Sequence, residues 1–305
     1  MLRRWMLGAA LLCCAVGVRA QELKVLTIGN SFADSVFEFL PKIVKSVPDC
    51  QLVLERANIG GCTLERHWRE VLKSEKDPKY KPYYGKFNLR EKLTSKKWDI
   101  VTLQQASHQS FRPESYQPWF KNLYEYVRKY APQAEIVIQM TWSYRPDHPG
   151  FGKWCCKDYK EMYEKLFANY VKTAKEFNCR IIPSGFAVQM ARAEQPVKFQ
   201  QSYTAEEIRK TAVRPDPLPE PQGAFIGNNY WRKDKKGNWK LNVDYIHLNE
   251  RGRYLQSCVW FAELFGRKTS EIKFVPKGLS AEEAQFLRTI AQKAVDEFQQ
   301  VNTEK

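Results

Sequence analysis

Several features that would assign a function at once are missing from this 305-residue sequence. After residue 20, no segment is apolar enough to span a bilayer. No pair of the four histidines has metal-ligand spacing, and no cysteines stand in a CxxC arrangement, so neither a metal nor another cofactor is expected. No internal repeat, arginine-rich arm, zinc-finger spacing or aromatic RNA-binding motif is present, which argues against nucleic acid as a partner.

Residues 1–20 have the pattern of a signal peptide. Arg3 and Arg4 supply a positive start, Met6 to Val18 form a short apolar core, and Val18-Arg19-Ala20 is a small-residue cleavage site. The apolar run is shorter than the roughly 20 residues that a membrane-spanning helix needs. We therefore expect an exported protein, periplasmic or secreted, whose mature chain begins after Ala20.

The chain carries a large basic excess. Removal of residues 1–20 takes away three arginines and no acid, so the formal net charge falls from +15 to +12. The remaining lysines and arginines are spread along the sequence, which is typical of a solvated basic surface. Attraction to acidic polysaccharides or to a charged membrane surface is the functional alternative.

Six cysteines remain after residue 20, at positions 50, 62, 155, 156, 179 and 258. Export permits disulfides, and six cysteines allow 15 complete pairings, among which the sequence does not choose. Free buried cysteines are the alternative, because a chain of this length does not depend on covalent staples. The oligomeric state is likewise left open.

Short apolar runs alternate with helical patterns along the chain. Five of these runs predict buried parallel strands, at Leu23–Ile28, Leu52–Ala57, Asp99–Leu103, Glu135–Met140 and Arg180–Ile182. Helices are predicted between and after them, at Asp34–Val47, Leu64–Ser74, Tyr116–Tyr130, Lys157–Phe177, Gly185–Ala193, Glu250–Phe265 and Ala281–Val301. This order predicts an α/β fold with three α/β/α layers around a central five-stranded parallel sheet, with ligands at the carboxyl ends of the strands.

Irregular stretches interrupt this alternation. They lie near residues 76–89, 145–156 and 213–240, and the last includes the proline-rich VRPDPLPEPQG followed by a predicted hairpin. We predict a signal peptide at 1–20, one α/β domain at 21–268 with insertions at those three places, and a C-terminal helical extension at 269–305.

The first chemical motif is Gly29-Asn30-Ser31, directly after the first predicted strand. The glycine permits a sharp turn, and a helix that follows would direct its amino end toward the hydroxyl of Ser31. Such a serine is also a common helix cap, so the tripeptide alone does not establish a nucleophile.

The second motif is Asp244-Tyr245-Ile246-His247-Leu248-Asn249. Asp244 and His247 are three residues apart, so a helical turn would place both side chains on one side. A carboxylate on one ring nitrogen of a histidine leaves the other nitrogen free to accept a serine proton. Ser31, His247 and Asp244 are therefore the candidate nucleophile, base and orienting acid.

With these motifs, the chain resembles the SGNH/GDSL hydrolase superfamily, and most closely a group of uncharacterised exported bacterial members. Gly29-Asn30-Ser31 matches the first block of that superfamily, Asn58–Thr63 the glycine block after the second strand, and Asp244 to Gly252 the final DxxH block. The order and spacing of the blocks agree over roughly residues 23–265. The resemblance implies the flavodoxin-like SGNH fold and a serine ester hydrolase.

The third block departs from the superfamily pattern. An asparagine usually follows strand three and helps to bind the oxyanion, but this chain reads Leu103-Gln104-Gln105-Ala106-Ser107-His108. The resemblance then implies an oxyanion hole made of the backbone N–H groups of Ser31 and Gly61 with the side-chain amide of Gln104. Gln105 is the weaker alternative.

Five further residues are candidates for substrate binding: Ser107, His108, Trp142 and Tyr144 near strand ends, and His67 on the helix after the glycine block. A capping or packing role is the alternative for His67, and a place in the core is the alternative for Trp142. The resemblance implies ester hydrolysis, with an O-acetyl group on a carbohydrate as the expected substrate. A lipase or thioesterase acting on acyl chains is one alternative. The other is a non-catalytic glycan-binding protein that retains the fold, because the third block is altered.

Overall fold

A computed structural model describes residues 21–201, 204–214, 216, 218, 221–227 and 229–303. The predicted signal peptide lies outside these residues, as does part of the proline-rich stretch. Within the described chain, no helix combines the length and apolarity that crossing a bilayer requires.

The central sheet has five strands, all parallel, in the order β2-β1-β3-β4-β5. They are β1 Gln21–Gly29, β2 Cys50–Asn58, β3 Ile100–Leu103, β4 Glu135–Gln139 and β5 Arg180–Ile182. All four residues of β3 are buried, as expected for a strand covered on both faces. A separate antiparallel hairpin consists of β6 Asn229–Lys233 and β7 Trp239–Val243.

Two groups of helices flank the sheet, so the predicted α/β/α fold is confirmed. One group contains α2, α8, α10 and α11, and the other contains α3, α4 and α6. The helices are α1 Ser31–Asp34, α2 Leu40–Lys45, α3 Leu64–Lys76, α4 Leu89–Thr94, α5 Ser107–Ser110, α6 Trp119–Tyr130, α7 Tyr159–Phe177, α8 Ser184–Glu194, α9 Ala205–Thr211, α10 Glu250–Phe265 and α11 Ala281–Thr303.

The single helix predicted at Asp34–Val47 is wrong. The chain instead forms α1, a 3-10 turn at Ser35–Phe37 and then α2. Pro41 explains the break, because a proline has no N–H to donate and is accommodated only in the first turn of a helix. The residues after Ser31 therefore form a short, separate turn of helix beneath the strand ends.

The C-terminal helix α11 packs against α8 and α10. Its buried face, which includes Ala284, Leu287 and Ile290, belongs to the same hydrophobic cluster as the strands. The division at residue 268 into a domain and an extension stays a prediction.

The carboxyl ends of the strands define one edge of the sheet. The first strand, β1, lies between β2 and β3. The chain therefore adds β2 on one side of β1 and β3 on the other. Such a switch point opens a crevice at the strand ends, where ligands of α/β sheets commonly bind. Ser31 follows β1 directly at this point.

Candidate active site

Ser31 is the first residue of α1, and Asn30 fixes the turn before it. The Asn30 side chain accepts a hydrogen bond from the Phe32 N–H (3.0 Å) and donates one to the Cys62 carbonyl (3.0 Å). Asn30 thereby caps the helix and ties it to the glycine loop after β2. This local arrangement holds the Ser31 hydroxyl at the switch point.

The structure brings Ser31, His247 and Asp244 together across 216 residues of chain. The Ser31 Oγ lies 2.9 Å from His247 Nε2, and His247 Nδ1 lies 2.8 Å from Asp244 Oδ2. With the Asp244 carboxylate accepting from Nδ1–H, the Nε2 atom is left to accept the serine proton. This is the hydrogen-bond arrangement of an acyl-transfer site.

Asp244 holds its own loop as well as the imidazole. Its Oδ1 accepts from the backbone N–H groups of Ile246 (2.9 Å) and His247 (3.0 Å). Burial alone would raise the pKa of Asp244, but the hydrogen bonds from the His247 ring and from these backbone groups outweigh burial, so the pKa lies below its ordinary value. Asp244 is therefore ionised at neutral pH.

A buried ion pair supports the same loop. Arg145 donates to both carboxylate oxygens of Asp147 (2.6 and 3.0 Å) and, through Nη1, to the Asp244 carbonyl (3.1 Å). Gly227, at φ +107, lies against this contact, and a Cβ there would be 2.4 Å from Arg145 Nη1. Arg145 thus holds the backbone of Asp244, whose side chain holds the imidazole.

Trp142 does not line the cavity, in contrast to its predicted substrate contact. Its ring is fully buried and stacks on Phe32 at 4.2 Å, and its Nε1 donates to the Ile246 carbonyl (2.9 Å). The sequence position after β4 was right for the site, but the ring turns into the core, where its large apolar surface is buried. Trp142 supports the His247 loop from below.

His67 is likewise buried and does not line the cavity, which agrees with the alternative of a packing role. Its Nε2 lies 2.9 Å from the Gly29 carbonyl and its Nδ1 lies 3.0 Å from the Tyr83 hydroxyl. Burial lowers the pKa of His67 to about 4, although the bond to Gly29 opposes that shift. A neutral His67 therefore donates from Nε2 to the backbone just before Ser31.

Gln104 is also placed away from the predicted oxyanion position. Its amide nitrogen donates to Asn30 Oδ1 at 2.7 Å, and its side chain packs against Gly29, where an added Cβ would lie 2.9 Å from Gln104 Cδ. Gln105 is engaged too, since its Oε1 accepts from the backbone N–H groups of Leu64 and Ala106. Both amides hold the loops around Ser31 together, and neither residue lines the cavity.

A cavity of about 340 Å³ opens over the Ser31 hydroxyl. Ser107, His108 and Tyr144, three of the predicted substrate-binding residues, lie on its wall, and Ser107 Oγ is 3.1 Å from the Tyr144 hydroxyl. The complete lining consists of Asn30, Ser31, Phe32, Gly61, Ala106, Ser107, His108, Tyr144, His148, Trp154, Ile246 and His247. A groove of about 480 Å³ beside α11 is larger, but its walls contain no histidine or cysteine.

Free backbone donors face this region. Gly61 lines the cavity at φ +61, a conformation that glycine adopts without steric cost. Within the described part of the chain, neither the Gly61 N–H nor the Ser31 N–H donates to a protein acceptor. Both are available to a negatively charged substrate oxygen, as the predicted oxyanion hole requires.

Trp154, and the placement of His148 in the cavity wall, were not predicted from the sequence. Both lie in the loop between β4 and α7 and line the cavity. The spacing Asp147-His148 suggests an acid–base pair, but the Asp147 carboxylate is bound by Arg145. The available signal was an aromatic residue within a glycine- and proline-rich insertion that directly follows a strand end.

The cavity wall is electrically neutral. None of its residues is a lysine, arginine, aspartate or glutamate. Burial lowers the pKa of His108, reinforced by the nearby charge of Arg112, and burial lowers that of His148 despite the opposing effect of Asp147. Both histidines therefore present neutral rings at pH 7.

The described residues offer no obvious metal centre. Among them, no group of three or more His, Cys, Asp or Glu side chains could hold a metal ion. All six cysteines after residue 20 are free thiols.

The molecule has an α/β/α fold with a hydrogen-bonded serine, histidine and aspartate at the switch point of its sheet. Residues 24–207 match the model of the DUF4886 family, described as a domain of unknown function, and the chain belongs to that family. Asp244 and His247 lie beyond the matched residues. The fold agrees with the resemblance to SGNH hydrolases.

Two solved structures illustrate what this chain is similar to. A DUF4886 family protein from Bacteroides uniformis is 24% identical, with a TM-score of 0.65 over 90% of this chain and 95% of that one. A member of the lipolytic G-D-S-L family from Veillonella parvula is 14% identical, with a TM-score of 0.40 over 80% and 99% of the two chains. No curated protein matches this sequence.

Proposed function

We propose that this protein is an exported serine ester hydrolase. The observation that carries the proposal is the continuous hydrogen-bonded series from Ser31 Oγ through the His247 ring to the Asp244 carboxylate. A serine hydroxyl is a weak nucleophile until a base accepts its proton, and a base in turn needs an orienting partner. The three groups supply those two requirements beside a cavity that is open to solvent.

In the proposed reaction, Ser31 Oγ attacks the ester carbonyl carbon while His247 Nε2 takes the hydroxyl proton. His247 then returns this proton to the alcohol oxygen as the C–O bond breaks, leaving an acyl-serine. Water, deprotonated by the same imidazole, attacks the acyl-serine carbonyl carbon. The imidazole then gives that proton to Ser31 Oγ as its bond to the acyl carbon breaks, which releases the carboxylic acid and restores the serine. Asp244 holds the ring and stabilises its transient positive charge in both halves.

The developing oxyanion would be bound by the N–H groups of Ser31 and Gly61. Ser107, on the cavity wall after β3, is the third donor that we propose in place of Gln104. Ser107 comes after β3, and in the SGNH superfamily the asparagine that helps to bind the oxyanion comes after the corresponding strand. The amide of Gln104 is already bound to Asn30. Loss of one oxyanion donor typically slows acyl transfer by about 100- to 1,000-fold.

An O-acetyl group on a carbohydrate is the substrate that we propose. The cavity, at about 340 Å³, is at the small end of the range for ligand sites, roughly 300–1,000 Å³. That size favours a short acyl group over a long chain. The neutral wall favours an uncharged alcohol over a phosphate or a carboxylate.

Hydrolysis of p-nitrophenyl acetate by the purified protein tests the mechanism. We expect Ser31→Ala and His247→Ala each to lower kcat by at least about 1,000-fold, because removal of either member of such a unit costs most of its catalysis. Ser35→Ala is the matched control, since Ser35 does not line the cavity and its Oγ donates to the Phe32 carbonyl within the neighbouring helical turn. Equal activity in all four folded proteins would refute the mechanism and favour a glycan-binding protein.

A further inference from the structure

Trp154 is an exposed tryptophan on the rim of the cavity that contains Ser31. Slightly more than half of its surface, 53%, is accessible to solvent. Large aromatic side chains usually bury most of their surface, so one held open at the mouth of a cavity is often functional.

The loop around Trp154 holds its ring in a fixed position. A Cβ at Gly150 would lie 2.6 Å from Trp154 Cε2 and Cζ2, so the ring packs directly on the glycine backbone. The His148 ring meets Trp154 edge-on at 5.5 Å and stacks on Tyr144 at 4.6 Å. The Cys155 N–H also donates to the Gly150 carbonyl at 3.1 Å. One side of the indole is therefore supported, and the other remains open.

The neighbouring polar groups indicate which ligand would fit. His148 Nδ1 accepts from the Gly150 N–H (3.0 Å), so the proton of the neutral ring is on Nε2. The hydroxyls of Ser107 and Tyr144 and the ring of His108 supply further uncharged donors and acceptors on the same wall. An apolar aromatic face beside neutral hydrogen-bonding groups matches a sugar ring, which has an apolar C–H face and a rim of hydroxyls.

Other ester alcohols match this wall less well. A phospholipid headgroup would bring a phosphate, and no lysine or arginine lines the cavity to receive it. A long aliphatic chain would leave the polar groups of Ser107, Tyr144 and His148 facing hydrocarbon, which is unfavourable.

We propose that Trp154, supported by His148 and Gly150, is a platform on which a neutral sugar ring stacks while its O-acetyl group reaches Ser31. The proposal rests on the proposed ester hydrolysis and adds the residue that selects the alcohol. Trp154 acts in substrate selection, and the reacting atoms remain those of Ser31 and His247.

Two acetate esters that differ in their alcohol test the platform. Glucose pentaacetate offers a neutral sugar ring, whereas trifluoroethyl acetate is an activated ester with no ring to stack. We expect Trp154→Ala to lower kcat/KM for glucose pentaacetate by about tenfold or more, and to change kcat/KM for trifluoroethyl acetate by less than about twofold. Acetate release followed by pH-stat titration measures both substrates.

Matched variants separate stacking from general damage. Trp154→Phe should retain most of the activity on the sugar ester. Trp239→Ala removes a tryptophan that is 41% exposed but absent from the cavity lining, and it should leave kcat/KM unchanged for both esters. Gly150→Ala should displace the indole and reproduce the loss seen in Trp154→Ala. Equal loss on both esters, or no loss on glucose pentaacetate, would overturn the platform.

Binding to the Ser31→Ala protein distinguishes failure of the platform from failure of the hydrolase proposal. Ligand-observed NMR with glucose pentaacetate should show binding that Trp154→Ala weakens about tenfold. Such binding without hydrolysis of either ester by the wild type would leave the platform standing and refute the enzyme. Hydrolysis of both esters, with binding that does not depend on Trp154, would support the enzyme and refute the platform.

Discussion

The buried His67 predicts a specific loss of stability in mild acid. In the unfolded chain this histidine titrates near 6.5, whereas burial lowers its pKa to about 4 in the folded protein. Between these two values the unfolded state binds a proton that the folded state excludes, so the free energy of unfolding falls as the pH falls. The stabilisation is complete above pH 6.5 and is lost progressively toward pH 4.

The size of the effect follows from the two pKa values. At about 1.4 kcal/mol per pKa unit, the difference between 6.5 and about 4 corresponds to roughly 3 kcal/mol. That is a large part of the 5–15 kcal/mol that typically separates a folded domain from its unfolded chain. Because His67 contacts the Gly29 carbonyl, its protonation acts directly on the backbone before Ser31.

Urea denaturation of the wild type and of His67→Gln at pH 7, 6, 5 and 4.5 measures this contribution. The wild type should lose stability more steeply with falling pH than the variant does. The lowered pKa values of His108 and His148 act in the same direction in both proteins and cancel in the comparison. If the free energies of unfolding of the two proteins fall in parallel with pH, the buried His67 does not cause the loss of stability in acid. If the variant does not fold, an NMR titration midpoint of His67 near 6.5 in the wild type would lead to the same conclusion.

Two further predictions concern the residues that hold the Asp244–Asn249 loop. Arg145→Met removes the donor to the Asp244 carbonyl and leaves Asp147 buried without its partner; kcat on p-nitrophenyl acetate should fall about tenfold or more, and stability by about 3–5 kcal/mol. Combining it with Asp147→Asn should recover stability but not kcat, and recovery of both would show that Arg145 does not position the loop. Asn249→Ala removes the cap that accepts from the Gly252 N–H at the start of α10; urea denaturation should show a loss of about 1 kcal/mol, and an unchanged midpoint would contradict the capping role.

The parallel sheet and the positions of Ser31, Asp244 and His247 could be predicted because their signals are local. Buried strands are short apolar runs, and a nucleophile or base is marked by the few residues around it. The one helix predicted at 34–47 failed at Pro41, where a backbone rule outweighed the apolar periodicity. The division of the chain into domains stays a prediction.

The directions in which several side chains point could not be predicted from the sequence. Gln104 and Trp142 follow strand ends and His67 lies on the helix after the glycine block, as predicted, yet each side chain turns into the protein toward a buried partner. Their hydrogen bonds join segments far apart in the chain, so no local pattern encodes them. Trp154 was missed for the complementary reason, since its position depends on packing against Gly150 within an irregular loop.

Labelling with a fluorophosphonate probe tests whether Ser31 is an activated nucleophile, because the reagent reports such a serine whatever the natural ester is. We expect one adduct per chain, located on Ser31 by mass spectrometry, absent from Ser31→Ala and formed far more slowly in His247→Ala. Absence of any adduct on the folded wild-type protein, or an adduct on a different serine, would contradict the proposal that Ser31 is the nucleophile.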